Sequence, residues 1–144
     1  MNLIKDFFAF LLYAATVCGF AGCSDDEETP VDGTLLPGVW RQVAEYDGED
    51  DEWYYDDFER YPNYMVLNAD GTGARGLSSP AQISTYDRIV WRCEGNRFVF
   101  SRSDDSRESV WNVETLTQEE LVFSVFCEED GDRWVEKEYY VRIQ

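Results

Sequence analysis

From about residue 36 to the end of the chain, apolar residues recur at every second position rather than every third or fourth, and most are β-branched or aromatic. Strands that bury one face are the elements such a pattern predicts. Eight are expected, over about 39–46, 63–68, 72–77, 83–93, 97–103, 108–114, 120–127 and 134–143. Turn chemistry separates them: Asn68-Ala69-Asp70-Gly71 fits a type I turn, and Glu94-Gly95-Asn96 and Glu129-Asp130-Gly131-Asp132 fit two further tight turns. Helical spacing is confined to one turn near Gln118–Leu121. Short strands joined in sequence by hairpins point to an all-β, eight-stranded antiparallel up-and-down barrel, which leaves no edge open to aggregation. A β-sandwich would show the same periodicity.

The first part of the chain has a different pattern. Lys5 precedes an apolar run of fifteen residues from Phe7 to Ala21, and the small residues Ala21 and Gly22 stand at its end. Spanning a bilayer as a helix takes about 20 residues, so the run reads as a cleaved export signal over residues 1–22. Cys23 comes next, then Ser24-Asp25-Asp26-Glu27-Glu28. Residues 23–35 carry no periodicity, and Thr29, Pro30, Asp32 and Gly33 favour turn or extended backbone, as in a flexible linker about 40 Å long when stretched. The folded domain is expected over 36–144.

Net charge narrows the range of partners. The formal charge is -18, with 30 acidic residues against 12 basic ones. Phosphate backbones and anionic lipid surfaces would be repelled, which excludes nucleic acid. The 16% aromatic content nevertheless supplies enough apolar face for a folded core. Catalysis has little to work with: the chain contains no His, and Gly71-Thr72-Gly73 belongs to a hairpin rather than a phosphate-cradling loop. The expectation is a protein that is not an enzyme and carries no cofactor.

Two resemblances add to this reading. Small residues directly before Cys23 resemble the lipobox of bacterial lipoproteins, and the acidic run after it resembles the surface-export signal of Bacteroidetes lipoproteins. They imply acylation of Cys23, anchoring in outer-membrane lipid and exposure at the cell surface. Further on come Gly38-Val39-Trp40, the Asn68-to-Gly73 hairpin, the strand of Trp91, and Trp111-Asn112-Val113-Glu114-Thr115-Leu116 before Glu120-Leu121-Val122-Phe123. In that order they resemble the lipocalin-like domains of Bacteroidetes lipoproteins over most of residues 36–143. The resemblance implies that Gly38 and Trp40 form the closed end of the barrel, with Arg142 over the Trp ring, and that the barrel holds a small apolar ligand.

Strand directions place two candidate sites. Trp91, Phe98, Phe100, Trp111, Val113, Leu121, Phe123 and Val125 should point inward; Trp91, Trp111 and Phe123 would then line a cavity, or simply fill a barrel only just wide enough for its own side chains. At the end away from Trp40 fall Glu49, Asp50, Asp51, Glu52, Asp56, Asp57, Asp104, Asp105, Glu128, Glu129, Asp130 and Asp132, forming an acidic rim. There the 47–62 loop brings Trp53, Tyr54, Tyr55, Phe58 and Tyr61 beside carboxylates. It is either a solvated loop or a contact surface for a protein or glycan, and its aromatic residues need a surface to lie against, the nearest being the barrel mouth. The acid spacing does not follow a calcium-loop pattern, so no metal is expected. Cys93 and Cys127 would be paired in most exported proteins, yet these directions put them at opposite ends, beyond the reach of about 7 Å for Cα atoms, as free inward thiols in a monomer.

Overall fold

Alternation over residues 38–142 becomes a closed antiparallel barrel in the computed structural model, which describes residues 29–55 and 57–144. The strands are β1 (Gly38–Asp47), β2 (Glu52–Tyr54), β3 (Tyr64–Leu67), β4 (Thr72–Leu77), β5 (Arg88–Glu94), β6 (Arg97–Arg102), β7 (Ser109–Leu116), β8 (Glu120–Glu129) and β9 (Asp132–Arg142). Each barrel strand pairs with the next, and β1 pairs with β9 to close the ring, so the molecule is all-β with eight barrel strands, compatible with a lipocalin-like fold. The ninth strand, β2, pairs only with the second half of β1. The signal segment, Cys23, the acidic run after it, and Asp56 lie outside the described residues.

Hairpin chemistry sets the register. Gly71 N–H donates to Asn68 O at 3.1 Å, and the Asp70 carboxylate accepts from the Thr72 N–H at 2.9 Å. Between β8 and β9, Asp130 and Gly131 both have positive φ (50° and 92°), the two-residue turn whose twist matches that of its strands. That ladder runs unbroken from Glu120↔Val141 to Glu129↔Asp132.

Four local details differ from the expected pattern. The strand expected over 83–93 starts only at Arg88, because Ser84 donates from N–H and Oγ to the Asp87 carboxylate and folds that stretch into a turn. No helical turn forms at Gln118–Leu121; Thr117 Oγ1 accepts from the Glu119 and Glu120 N–H groups and closes a tight β7–β8 hairpin. The 47–62 loop contains β2 and a single turn of helix, α1 (Asp57–Arg60). Packing against the barrel begins before Leu36, since Val31 lies on the core and its N–H donates to Asn96 Oδ1 at 2.8 Å.

The closed end of the barrel is built by that early segment. Asp32 caps a 3-10 turn over Gly33–Leu35, and Leu36 is completely buried beneath the strands. Trp40 is equally buried and donates from Nε1 to Leu36 O at 2.8 Å. Arg142 covers it, with Cζ 4.1 Å from the Trp40 ring. The guanidinium donates to three backbone carbonyls, from Nε to Gln118 (2.6 Å), from Nη1 to Pro37 (2.8 Å) and from Nη2 to Leu35. A Cβ on Gly38 would stand 2.1 Å from Arg142 Nη1, so the glycine leaves room for the arginine. Gly38, Trp40 and Arg142 therefore act together as the lock of this end.

Above the lock an aromatic column fills the interior. Phe123 stacks 4.8 Å from Phe98 and meets Trp111 and Tyr140 edge-on at 5.8 and 6.1 Å. Trp91 and Phe100 flank Phe98 at 5.8 and 5.3 Å. Cys93 and Cys127 are both free and end strands that run in opposite directions.

Candidate functional site

The upper interior is polar. On β4 the inward positions continue from Gly73 to Arg75, whose Cζ lies 4.1 Å from the Trp111 ring and 4.6 Å from the Phe100 ring. Arg75 Nη2 donates to Glu138 Oε2 at 2.9 Å, and the Tyr140 hydroxyl donates to the same oxygen at 2.5 Å. Arg75 Nε is buried with no hydrogen-bond partner. The register shift between Gln42 and Ala44 sets Glu45 opposite Glu138, so two carboxylates share one level of the barrel. Burial pushes the Glu138 carboxyl above its ordinary value despite Arg75 and Tyr140, and burial followed by repulsion from Glu138 and Glu136 raises Glu45. The Tyr140 hydroxyl is held protonated, by burial first and by Glu138 second.

Little space is left around this cluster. A cavity of about 40 Å³ lies among Glu45, Trp111, Phe123, Val125, Glu136, Lys137 and Glu138, room for about one water rather than for an organic molecule. Among the three aromatic residues nominated for an internal ligand, Phe123 is fully buried in the core and Trp91 and Trp111 are half-buried against it. Their neighbours are other protein side chains.

Loop 47–62 does not lie over the mouth. The hairpin joining β1 to β2 places Trp53 opposite Tyr46 on the outer face, with ring centroids 5.3 Å apart. Trp53 then stacks on Tyr55 at 6.2 Å and 27°. The pair overhangs an open groove of about 470 Å³ on the outside of the barrel, whose floor carries Val122, Tyr139, Glu114, Glu120 and Lys137. Lys137 Nζ is held by Glu114 at 2.8 Å, and the Tyr139 hydroxyl donates to Glu120 at 2.5 Å. Tyr54 points to the other side of β2 and is 39% exposed, while half-buried Phe58 lines a second groove with Arg41, Val43, Tyr55 and Tyr64. The mouth expectation fails because β2 pairs with the edge of β1, and pairing fixes which face each side chain takes.

The hairpin is tightly seated. Asp47 Oδ1 accepts from the Glu49 and Asp50 N–H groups, and the Tyr46 hydroxyl donates to Asp51 at 2.7 Å. A Cβ on Gly48 would stand 2.2 Å from Val135 O, so this turn lies directly against the β9 backbone.

Carboxylates divide into two kinds at this end of the molecule. Asp104, Asp105 and Glu128 are each bound by an arginine, Arg102, Arg107 and Arg133 respectively, at 2.8 to 3.1 Å. None of Asp47, Glu49, Asp50, Asp51, Glu52 and Asp57 has a salt bridge among the described residues. The acidic rim is thus partly neutralised on the barrel and uncompensated on the hairpin. No group of three or more Cys, Asp or Glu among the described residues is placed to hold a metal ion.

Composition alone missed Arg75, Glu45 and Glu138 inside and Tyr46, Tyr139 and Lys137 outside. For Arg75 and Glu138 the signal was present, since each keeps parity with an inward neighbour, Gly73 and Tyr140. For Glu45 it was hidden by the bulge. No known protein family and no curated protein matches the chain.

Proposed function

We propose that this chain is a non-catalytic binding protein, acylated at Cys23, anchored as a monomer in outer-membrane lipid and exposed at the cell surface, which meets its partner through loop 47–62. The observation that carries the reading is the placement of Trp53 and Tyr55, stacked and exposed above an outer groove while the interior is filled. Exposed aromatic faces beside polar groups are what contact surfaces use. The expectation of a small apolar ligand in the barrel has less to support it, because the interior cavity is small and has three carboxylates beside its apolar wall.

The tether fits this arrangement. Packing begins at Val31, so seven residues separate it from Cys23 and the eight steps between them reach about 28 Å at most rather than the expected 40 Å. The segment enters at the locked end, which directs the hairpin away from the lipid.

Mass spectrometry of the protein extracted from its own host's membranes tests both halves. The expected species starts at an acylated Cys23 and carries no retained small molecule. A chain lacking acyl groups would remove the anchor, and a stoichiometric apolar ligand would return the function to the barrel interior.

A further inference from the structure

Resting on the reading of loop 47–62 as a contact surface, we infer that its partner is an extended, Lys/Arg-rich polypeptide segment, bound along β2 with basic side chains over Trp53 and Tyr55. Three independent features converge on that chemistry.

The first is charge. Between Arg41 and Arg60 the chain has nine carboxylates and no base, and the described ones on the hairpin have no internal cation. Nearby, the single lysine of the groove is already taken by Glu114. On the barrel rim Asp104, Asp105 and Glu128 have arginines of their own, whereas the whole described run on the hairpin is uncompensated, so a basic partner gains most there. An acidic partner is repelled there, and a neutral sugar would leave the charge uncompensated.

The second is the aromatic platform. Tyr46, Trp53 and Tyr55 form a continuous row of rings on one face. Guanidinium and ammonium groups are attracted to such faces, above all to Trp, and a guanidinium also stacks flat on them. Inside the barrel the protein uses the same pairing itself, with Arg75 over Trp111 and Phe100.

The third is the strand edge. β2 pairs with β1 alone, so its other edge has no strand partner among the described residues. An extended peptide can add there through its main chain and deliver alternate side chains to the outer face. A glycan has no matching row of donors and acceptors.

Calorimetric titration of the full chain in mild detergent, with a decapeptide alternating Lys and Arg, tests the inference against cellohexaose and a Glu-rich decapeptide. Binding of the basic peptide should weaken about tenfold in Trp53→Ala/Tyr55→Ala, as expected for two lost cation–π contacts, and less than about twofold in Asp130→Asn/Asp132→Asn on the barrel rim. Both pairs are on the surface, so the fold is retained. Equal weakening in the two variants means unspecific attraction to an acidic protein and overturns the inference, as does no binding of the basic peptide. Cellohexaose binding that depends on Trp53 and Tyr55 overturns the polypeptide assignment but leaves the contact surface standing. A small molecule retained from the host overturns the contact surface itself.

Discussion

Arg75 and Glu138 come from strands on different parts of the ring and meet inside the barrel at 2.9 Å, each with roughly four-fifths of its side chain covered. Two buried ions are costly to desolvate, and their attraction recovers that cost only while both remain. Arg75→Leu should therefore destabilise the protein by about 3–5 kcal/mol in urea unfolding near neutral pH, since it leaves Glu138 facing Glu45 without its cation. Removing both charges in Arg75→Leu/Glu138→Leu should recover most of the loss. If the single variant unfolds at the wild-type urea midpoint, the pair has no structural weight and the cluster must be re-examined as a ligand site. Arg142 is the opposite case: its partners are three carbonyls and an indole face, so it fixes backbone rather than balancing charge.

At the level of elements, the β1–β2 hairpin is an addition to a barrel that closes without it, because β1 already pairs with β3 and β9. Its seat is narrow, with Val135 O 2.2 Å from where a Gly48 Cβ would lie. Gly48→Ala should lift the hairpin and cost about 1–3 kcal/mol locally. Hydrogen exchange of the β2 amides should quicken and Trp53 emission should shift, while the β8–β9 amides keep their protection; uniform loss of protection would mean that the hairpin belongs to the cooperative barrel. This element also marks where sequence reading stopped. Barrel strands were legible because inward apolar residues such as Phe98 and Phe100, Trp111 and Val113, and Leu121 and Phe123 recur at every second position, and three turns carry explicit chemistry. β2 was not, since Glu52-Trp53-Tyr54 is too short to show a period and lies in an acidic run. Nor was the bulge at Val43, whose effect on Glu45 depends on a cross-strand register that no local pattern encodes. The aromatic content of the loop was evident, but the face it occupies follows from pairing with β1.

For the whole molecule, acidity and burial act together on the pH dependence of stability. Asp32, Asp70 and Asp105 are held below their usual 3.8 by hydrogen bonds from Thr34, Thr72 and Arg107, and Glu108 below 4.5 by Arg92. Their contribution is present above those ordinary values and is lost as pH falls. Glu45 and Glu138 are raised above 4.5, chiefly by burial, so the folded state binds more protons than the unfolded chain. Their contribution is greatest below 4.5 and disappears as pH rises through the raised values. A net charge of -18 adds self-repulsion that also grows with pH. The two trends intersect in mildly acidic solution, so Tm should be highest near about pH 5 and fall toward neutrality. Salt separates the contributions: raising NaCl at pH 7.5 screens the surface repulsion and should recover part of the loss, whereas the contribution of Glu138, with about four-fifths of its side chain covered, should persist. Glu45→Gln removes the carboxylate that faces Glu138 and should make the fall toward neutrality shallower without abolishing it. A Tm that climbs steadily from pH 5 to 8, or a Glu45→Gln curve identical to wild type, would show that the facing carboxylates do not govern stability, and that the hydrogen-bonded acids of the outer surface do.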